Sequence, residues 1–257
     1  MSPPTDQPGS STADHGLAQG SIGAPSDSEF GWFGLRTRAV DSRLFALVGL
    51  LLTMGVLGAA YFVANELAVA RDVTVFDPAR IFMVGGHSLD SRIPYLPWTI
   101  LIYHVLYEAL LVLPVLTYPK TEAGVRELFA LFRGLGVLTL VACVAFVVCP
   151  AEMTLRADAA LHESDSLLHR ANLAMHTLDR PFNTWPSLHV AWTTLVLLTV
   201  GRWLGRARWS VLLALCWLAL SLSTLTVRQH YLWDVMTGAS ISLAYWRWTV
   251  RPPVIER

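Results

Sequence analysis

Six blocks of apolar residues, each close to the thickness of a bilayer core, constrain this chain more than any other feature. They run over residues 44–67, 96–116, 129–148, 188–204, 209–227 and 231–248. A helix needs about 20 predominantly apolar residues to cross the hydrocarbon core. In lipid every backbone polar group must be bonded inside the protein, so blocks of this length take helical form. The expected fold class is therefore all-α, a polytopic membrane protein with a six-transmembrane-helix bundle over residues 41–250. The fourth and sixth blocks are short and begin with polar residues. Ten Trp fit the same picture, because Trp favours membrane interfaces. Residues 1–40 precede the bundle, and the first 29 are rich in Ser, Pro, Gly and Asp. That composition cannot bury a core, and a disordered tail is expected. It is no signal peptide, since no basic start leads into an apolar core. A second short tail covers 251–257.

Charge distribution sets an orientation. The formal net charge is zero, so the total points to no charged partner such as nucleic acid. One side of the bundle receives Arg36, Arg38 and Arg43, then Lys120 and Arg126, then Arg202, Arg206 and Arg208, then Arg247, Arg251 and Arg257. These connections are short and almost purely basic, which marks them as cytoplasmic. The opposite side carries Arg71, Arg80, Arg92, Arg156, Arg170, Arg180 and Arg228 mixed with many carboxylates, mostly in two long loops. Both termini are then cytoplasmic. The loops 68–95 and 149–187 and the turn around Arg228 are extracytoplasmic.

Two short strings carry the chemistry. Asn183-Thr184-Trp185-Pro186-Ser187-Leu188-His189 opens the fourth block, and Arg228-Gln229-His230-Tyr231-Leu232-Trp233-Asp234 opens the sixth. Charge-based topology puts His189, His230 and Asp234 at one depth on one side. His230 and Asp234 are one helical turn apart and share a face. A carboxylate there can fix an imidazole's tautomer and leave its other nitrogen competent as nucleophile or base. A second histidine on a neighbouring helix can protonate a leaving alkoxide. Pro186 suits a first helical turn. The N–H groups at that helix start, with the Ser187 hydroxyl, suit phosphate oxygens. Arg156, Arg180 and Arg228 are candidates to clamp the remaining phosphate charge.

These strings resemble the type-2 phosphatidic acid phosphatase superfamily, with its Pro-Ser-Gly-His motif and its later Ser-Arg-(five residues)-His-(three residues)-Asp motif. The variants here, Pro-Ser-Leu-His and Gln-His-Tyr-x-x-Asp, are most similar to the aureobasidin-resistance, inositol phosphorylceramide synthase-like branch. Ile93-Pro94-Tyr95-Leu96-Pro97-Trp98, with Tyr103 and Tyr107, is also similar to that branch. The similarity covers about 90–238. It implies a six-helix bundle, no required metal and no cofactor, and a lipid phosphate or diphosphate substrate taken from the membrane. It makes His230 the nucleophile of a phosphohistidine, His189 the acid and Asp234 the partner of His230. The expected location is the cell membrane, multi-pass, with the site on the extracytoplasmic face. Departures are visible. Leu173 stands where the family has a Lys before Arg180-Pro181, and Arg156, after Cys149-Pro150, is the alternative. The Arg expected before His230 falls at Thr224, and Arg228 is its candidate substitute.

Other polar residues have plainer readings. His104 and Glu108 lie one turn apart within the second block, as a mutually satisfied interior pair or a functional one. His162, His169 and His176 recur every seven residues, as a solvated helical face or a metal-binding stripe. Cys143, Cys149 and Cys216 sit in or at the end of apolar runs with neither zinc nor disulfide spacing. A haem- or quinone-binding membrane protein using the same histidines is the alternative function, but Asp234 and the arginines fit phosphate better. The intact set Ser187, His189, His230 and Asp234 argues against a third reading, a non-catalytic membrane scaffold.

Overall fold

The computed structural model describes residues 43–162, 164 and 166–249. The expected tails, 1–40 and 251–257, lie outside the described residues. The described chain forms eight α-helices and one small hairpin. The helices are α1 (Arg43–Arg71), α2 (Ile100–Thr117), α3 (Glu122–Val148), α4 (Arg156–Ala160), α5 (Leu167–Leu178), α6 (Leu188–Leu204), α7 (Ala207–Thr226) and α8 (Leu232–Thr249). The hairpin pairs β1 (Met83–Val84) with β2 (His87–Ser88) in antiparallel register.

The six apolar blocks fall on α1, α2, α3, α6, α7 and α8. Four of these are long and apolar enough to cross a membrane: Arg43–Arg71, Pro97–Thr117 (α2 with its 3-10 lead-in), Glu122–Val148 and Ala207–Thr226. Their outer surfaces carry exposed Leu51, Leu52, Val56, Phe62, Leu140, Val144, Leu215 and Leu222, as expected of helices that meet hydrocarbon. This is an all-α, membrane-embedded fold. The remaining two helices differ for a reason visible in the packing. α6 packs against α2, α3, α7 and α8 at once, and ten of its 17 residues are buried. Its surroundings are protein rather than lipid, so it tolerates Thr193, Thr194 and Thr199. Their hydroxyls donate to carbonyls three or four residues back. α8 packs on α6 and carries Asp234, Thr237, Ser240 and Ser242.

Local chemistry sets the helix ends. Ser187 caps α6 by accepting from the Val190 N–H at 3.3 Å. The other end stops at Gly205, whose φ of 59° suits glycine. Two carboxylates finish the start of α8. Asp90 accepts from the Leu232 N–H at 2.6 Å, and Asp234 reaches back to the Tyr231 N–H at 2.8 Å. Acidic groups at a helix N-terminus also complement its dipole. The starts of α6 and α8 are tied to one another by the Ser187 N–H donating to the Asp234 carbonyl at 3.1 Å. They approach so closely at Gly238 that a Cβ there would lie 2.4 Å from the Ser187 carbonyl oxygen.

The segments 72–99 and 149–187 cover this same end of the bundle. They are stitched by Val75 N–H to the Pro150 carbonyl and by Phe76 N–H to the same oxygen. Phe76 packs on Trp185 at 5.0 Å, and Phe82 on Trp233 at 6.1 Å, so the first segment rests on both motif strings. The three cysteines are free and half-buried.

Gly238→Ala should force α8 away from the start of α6. Overpacking of this kind costs about 1–3 kcal/mol. The melting temperature in detergent should fall by several degrees. Gly58→Ala, on α1 with nothing within 4 Å of the added Cβ, should leave it unchanged. Equal behaviour of the two variants in differential scanning fluorimetry would refute the close-approach argument.

Candidate active site

Two histidines meet where α6 and α8 begin. His189 is the second residue of α6 and is half-buried, while His230 precedes α8 and is 4% exposed. His189 Nδ1 lies 3.0 Å from His230 Nε2. The hydrogen-bond partners on either side fix the direction of this contact. His230 Nδ1 lies 2.9 Å from the Thr184 carbonyl, which can only accept, so Nδ1 carries the proton. Burial pushes the His230 imidazole down to about 4, against the raising effect of that bond. A neutral ring with its proton on Nδ1 leaves a lone pair on Nε2, so Nε2 accepts from His189 Nδ1–H. Neutral His189 then has its own lone pair on Nε2, which accepts from the Tyr103 hydroxyl at 2.6 Å. The result is one directed chain, Tyr103 to His189 to His230 to the Thr184 carbonyl. These tautomers are assigned from the network.

Asp234 stands differently from the sequence expectation. Its Oδ2 is 3.8 Å from His230 Nδ1, too far for a hydrogen bond, and it accepts from the Tyr231 N–H instead. The Thr184 carbonyl takes the His230 proton. Asp234 is fully buried, and its Oδ1 has no partner among the described residues.

The phosphate-binding candidates divide. Ser187 is at the cluster, fully buried, as the cap of α6, and brings the positive end of that helix with it. Arg156 is close behind His230. Its Nη2 donates to Gln229 Oε1 at 2.9 Å, its Nε to the Arg228 carbonyl at 3.4 Å, and its Nη1 to the carbonyls of His176 and Asp179. Burial pulls its guanidinium below the usual range, against the raising effect of Asp179, whose Oδ2 is 3.9 Å away. Arg228 turns away through a positive φ of 61°. It donates to the Asp90 carbonyl at 3.1 Å and to Asp158 Oδ2 at 3.3 Å. Arg180 is not brought to the cluster. It is half exposed and pairs with Glu66 of α1 at 3.8 Å.

Three participants were missed in the sequence. Tyr103 carries only a general signal, in that a phenol inside an apolar block must find a partner when buried. Asp179 gathers Tyr61 at 2.8 Å, Asn183 at 2.5 Å and Arg156 around one carboxylate. The hint was an acid directly before Arg180-Pro181. Thr184 contributes a backbone carbonyl, for which no side-chain signal exists.

The other polar candidates resolve outside the cluster. His169 is buried, with Nδ1 3.0 Å from the Tyr95 hydroxyl, and His176 Nε2 donates to the Val227 carbonyl at 2.8 Å. These two histidines of the seven-residue repeat thus pack inward rather than forming a solvated face. Among the described residues no group of three or more His, Cys, Asp or Glu is arranged to hold a metal ion. His104 and Glu108 point outward from α2, not into the bundle.

The family model of the PAP2 superfamily matches residues 87–248. The chain belongs to the PAP2 superfamily. The match begins in the hairpin, spans both motif strings and omits α1. Membership in the PAP2 superfamily supports a phosphoesterase-type enzyme acting on lipid phosphate in a membrane. No curated protein and no solved structure matches the chain.

His230 and His176 generate a pH prediction. Burial pushes His176 to about 4 as well, with the nearby Arg156 adding to the effect. Unfolded histidines titrate near 6.5. Between about 6.5 and 4 the unfolded chain binds more protons at these two sites than the folded one. Stability from them is full above about 6.5 and is lost as pH falls through that window. His176→Gln should flatten the decline of melting temperature between pH 7 and pH 4.5 relative to the parent. Parallel profiles would show that His176 does not titrate on unfolding.

Proposed function

We propose that this chain is an integral membrane enzyme that moves a phosphoryl group from a lipid-linked phosphate or diphosphate through a phosphohistidine. The observation that supports this reading best is the 3.0 Å pairing of His189 with His230 at two adjoining helix starts, within the span matched by the PAP2 superfamily. A phosphoryl group entering between the two rings meets the His230 Nε2 lone pair on one side and the His189 Nδ1–H on the other.

On this reading His230 Nε2 attacks phosphorus and the bond to the leaving oxygen breaks. His189, entering this step as the imidazolium, donates its Nδ1 proton to that oxygen and is left neutral, ready to act as base. In the second half the acceptor hydroxyl gives a proton to His189 and its oxygen attacks phosphorus, which frees His230. Asp234 is assigned the stabilisation of the His230 ring while it is cationic. Ser187 and the first turn of α6, with the charge of Arg156, are assigned to the phosphoryl oxygens. We assign Arg228 and Arg180 to the frame around the site, because their partners are Asp90, Asp158 and Glu66. The chemistry uses only side chains of this chain and takes no metal.

α6 and α8 complete a six-span bundle in this proposal, with both termini cytoplasmic and the histidines at the extracytoplasmic face of the cell membrane. The asymmetry of Arg and Lys supports that orientation. The acceptor is water in a lipid phosphatase, or a lipid or sugar hydroxyl in a phosphotransferase. The Pro-Ser-Leu-His and Gln-His-Tyr-x-x-Asp strings favour the transferase of the inositol phosphorylceramide synthase-like branch.

Four measurements test the proposal. Purified protein given a panel of phospholipids and diphosphate lipids should release phosphate or form a new phospholipid, and inertness toward the whole panel would defeat it. Activity should survive EDTA, and loss restored by a divalent ion would reject the metal-free mechanism. His230→Ala should abolish turnover and the phosphoenzyme on every substrate. His189→Ala should lose about a hundred- to ten-thousand-fold on a lipid phosphate, the usual worth of a general acid. An aryl phosphate with a good leaving group should recover part of that loss, and equal losses on both substrates would remove the acid role. For sidedness, single cysteines at Asp165 and Arg206 in a background lacking the native cysteines should react with an impermeant outer reagent only at 165. The reverse pattern would invert the topology.

A further inference from the structure

We infer that the side-chain amide of Gln229 binds an oxygen of the transferred phosphoryl group, at the end of a relay that begins at Arg156. This rests on the proposed phosphohistidine site and adds a donor to it.

Gln229 directly precedes His230 and is 1% exposed. Its Oε1 lies 2.9 Å from Arg156 Nη2. A guanidinium only donates, so the amide oxygen faces Arg156 and the amide nitrogen is turned away from it. That nitrogen carries two hydrogens and has no partner among the described residues. Leaving a buried donor without an acceptor forfeits its hydration for nothing, and native proteins leave few such groups. An orphan donor beside the nucleophile is explained by an acceptor that arrives with the substrate.

The other donors around His230 narrow the choice. The N–H groups of Gln229 and His230 both go to the Thr224 carbonyl, at 2.9 and 3.2 Å. The Tyr231 N–H goes to Asp234 and the Leu232 N–H to Asp90. Residues 229–232 therefore have no free backbone donor to offer. Two side-chain donors of this turn are unengaged, Arg228 Nε and Gln229 Nε2. The rest of the Arg228 guanidinium is bound to the Asp90 carbonyl and to Asp158, which leaves Gln229. Arg156 has all three of its nitrogens on protein acceptors. Its charge reaches the phosphoryl group best through the amide it binds. An amide whose oxygen accepts from a cation is polarised and donates more strongly from its nitrogen. Ser187 comes with His189, and Gln229 comes with His230. A phosphoryl group between the two rings thus has donors associated with each histidine.

The test uses the full-length protein in detergent or nanodiscs, with 15N-labelled glutamine and histidine and vanadate as the phosphoryl mimic. Gln7 and Gln19, the other glutamines of the chain, provide reference signals. Saturating vanadate should shift the ring nitrogens of His230 and move one Gln229 amide proton downfield, with slower exchange. A shift at His230 without one at Gln229 would overturn the inference and leave the phosphohistidine reading standing. No shift at either residue would reject both. Gln229→Glu keeps the acceptor for Arg156 and removes the donor. Its inhibition constant for vanadate should rise about ten- to a hundredfold, the worth of a hydrogen bond to a charged group. If Gln229 only anchored Arg156, that variant would bind vanadate as well as the parent or better, which would overturn the inference. Gln229→Met, neutral and of similar length, should also weaken vanadate, by about tenfold, and parent-like binding would count against the amide. Melting temperatures near the parent's show that both variants are folded.

Discussion

The bond from the Ser187 N–H to the Asp234 carbonyl, 3.1 Å long, is the constraint on which the site depends. It joins the first turn of one helix to the first turn of another, with no side chain between. Gly238 makes that approach sterically possible, since any Cβ would strike the Ser187 carbonyl. Once the two helix starts are fixed, the positions of His189 and His230 follow. One lies two residues after Ser187, the other four before Asp234. Helical geometry directs the His189 ring, and the Thr184 carbonyl directs that of His230. The 3.0 Å contact between them is thus a consequence of backbone packing rather than of flexible side chains finding one another.

Burying such a cluster is costly unless its members satisfy one another. The chain Tyr103–His189–His230–Thr184 does so with neutral groups, each nitrogen having a single defined role. Around it lie charged residues: Arg228 pairs with Asp158 at 3.3 Å, and Arg156 stands 3.9 Å from Asp179. These residues also bond to loop backbone, which ties segments 72–99 and 149–187 to the helix starts. Stability and site geometry therefore share the same bonds. Tyr231 illustrates this. It is fully buried between the histidine and the helix, and its hydroxyl is bonded to both Thr154 and the Glu152 carbonyl.

Hydropathy reads the surface that a helix shows to lipid, and this limits what the sequence reveals. It finds α1, α2, α3 and α7 readily, because their outer faces are Leu, Val and Phe. It reads α6 and α8 weakly, because protein surrounds them and threonines and an aspartate are tolerated there. The two histidines were legible for another reason: each lies in a short string, and the four-residue step to Asp234 is a local property of a helix. Contacts between distant segments leave no such trace. Nothing near Tyr103 in sequence announces His189, 86 positions later. The four-residue step brings Asp234 within 3.8 Å of His230, but the competing claim of the Thr184 carbonyl on His230 Nδ1 belongs to a different segment. The arginines were hardest, since a long cationic side chain in a loop can serve any of several neighbours.

That difficulty has a physical resolution at Thr224, where the superfamily pattern would place an arginine. Thr224 is fully buried on the last turn of α7, and its carbonyl accepts from both the Gln229 and His230 N–H groups. The Thr224 hydroxyl itself is turned back to the Ser221 carbonyl at 2.7 Å. Arg228, four residues later, takes a left-handed backbone conformation and points toward Asp90 and Asp158. Positive charge near His230 is left to Arg156, which comes from the segment after Pro150. Its donors are engaged by carbonyls from two other segments and by the Gln229 side chain. Neutral carbonyls hold a guanidinium in place without cancelling its charge, and the one nearby carboxylate, Asp179, is 3.9 Å off and shared with Tyr61 and Asn183. Arg156 is therefore both a cross-link and a fixed cation. A lysine there would keep the charge but, with a single compact ammonium, could not span those partners.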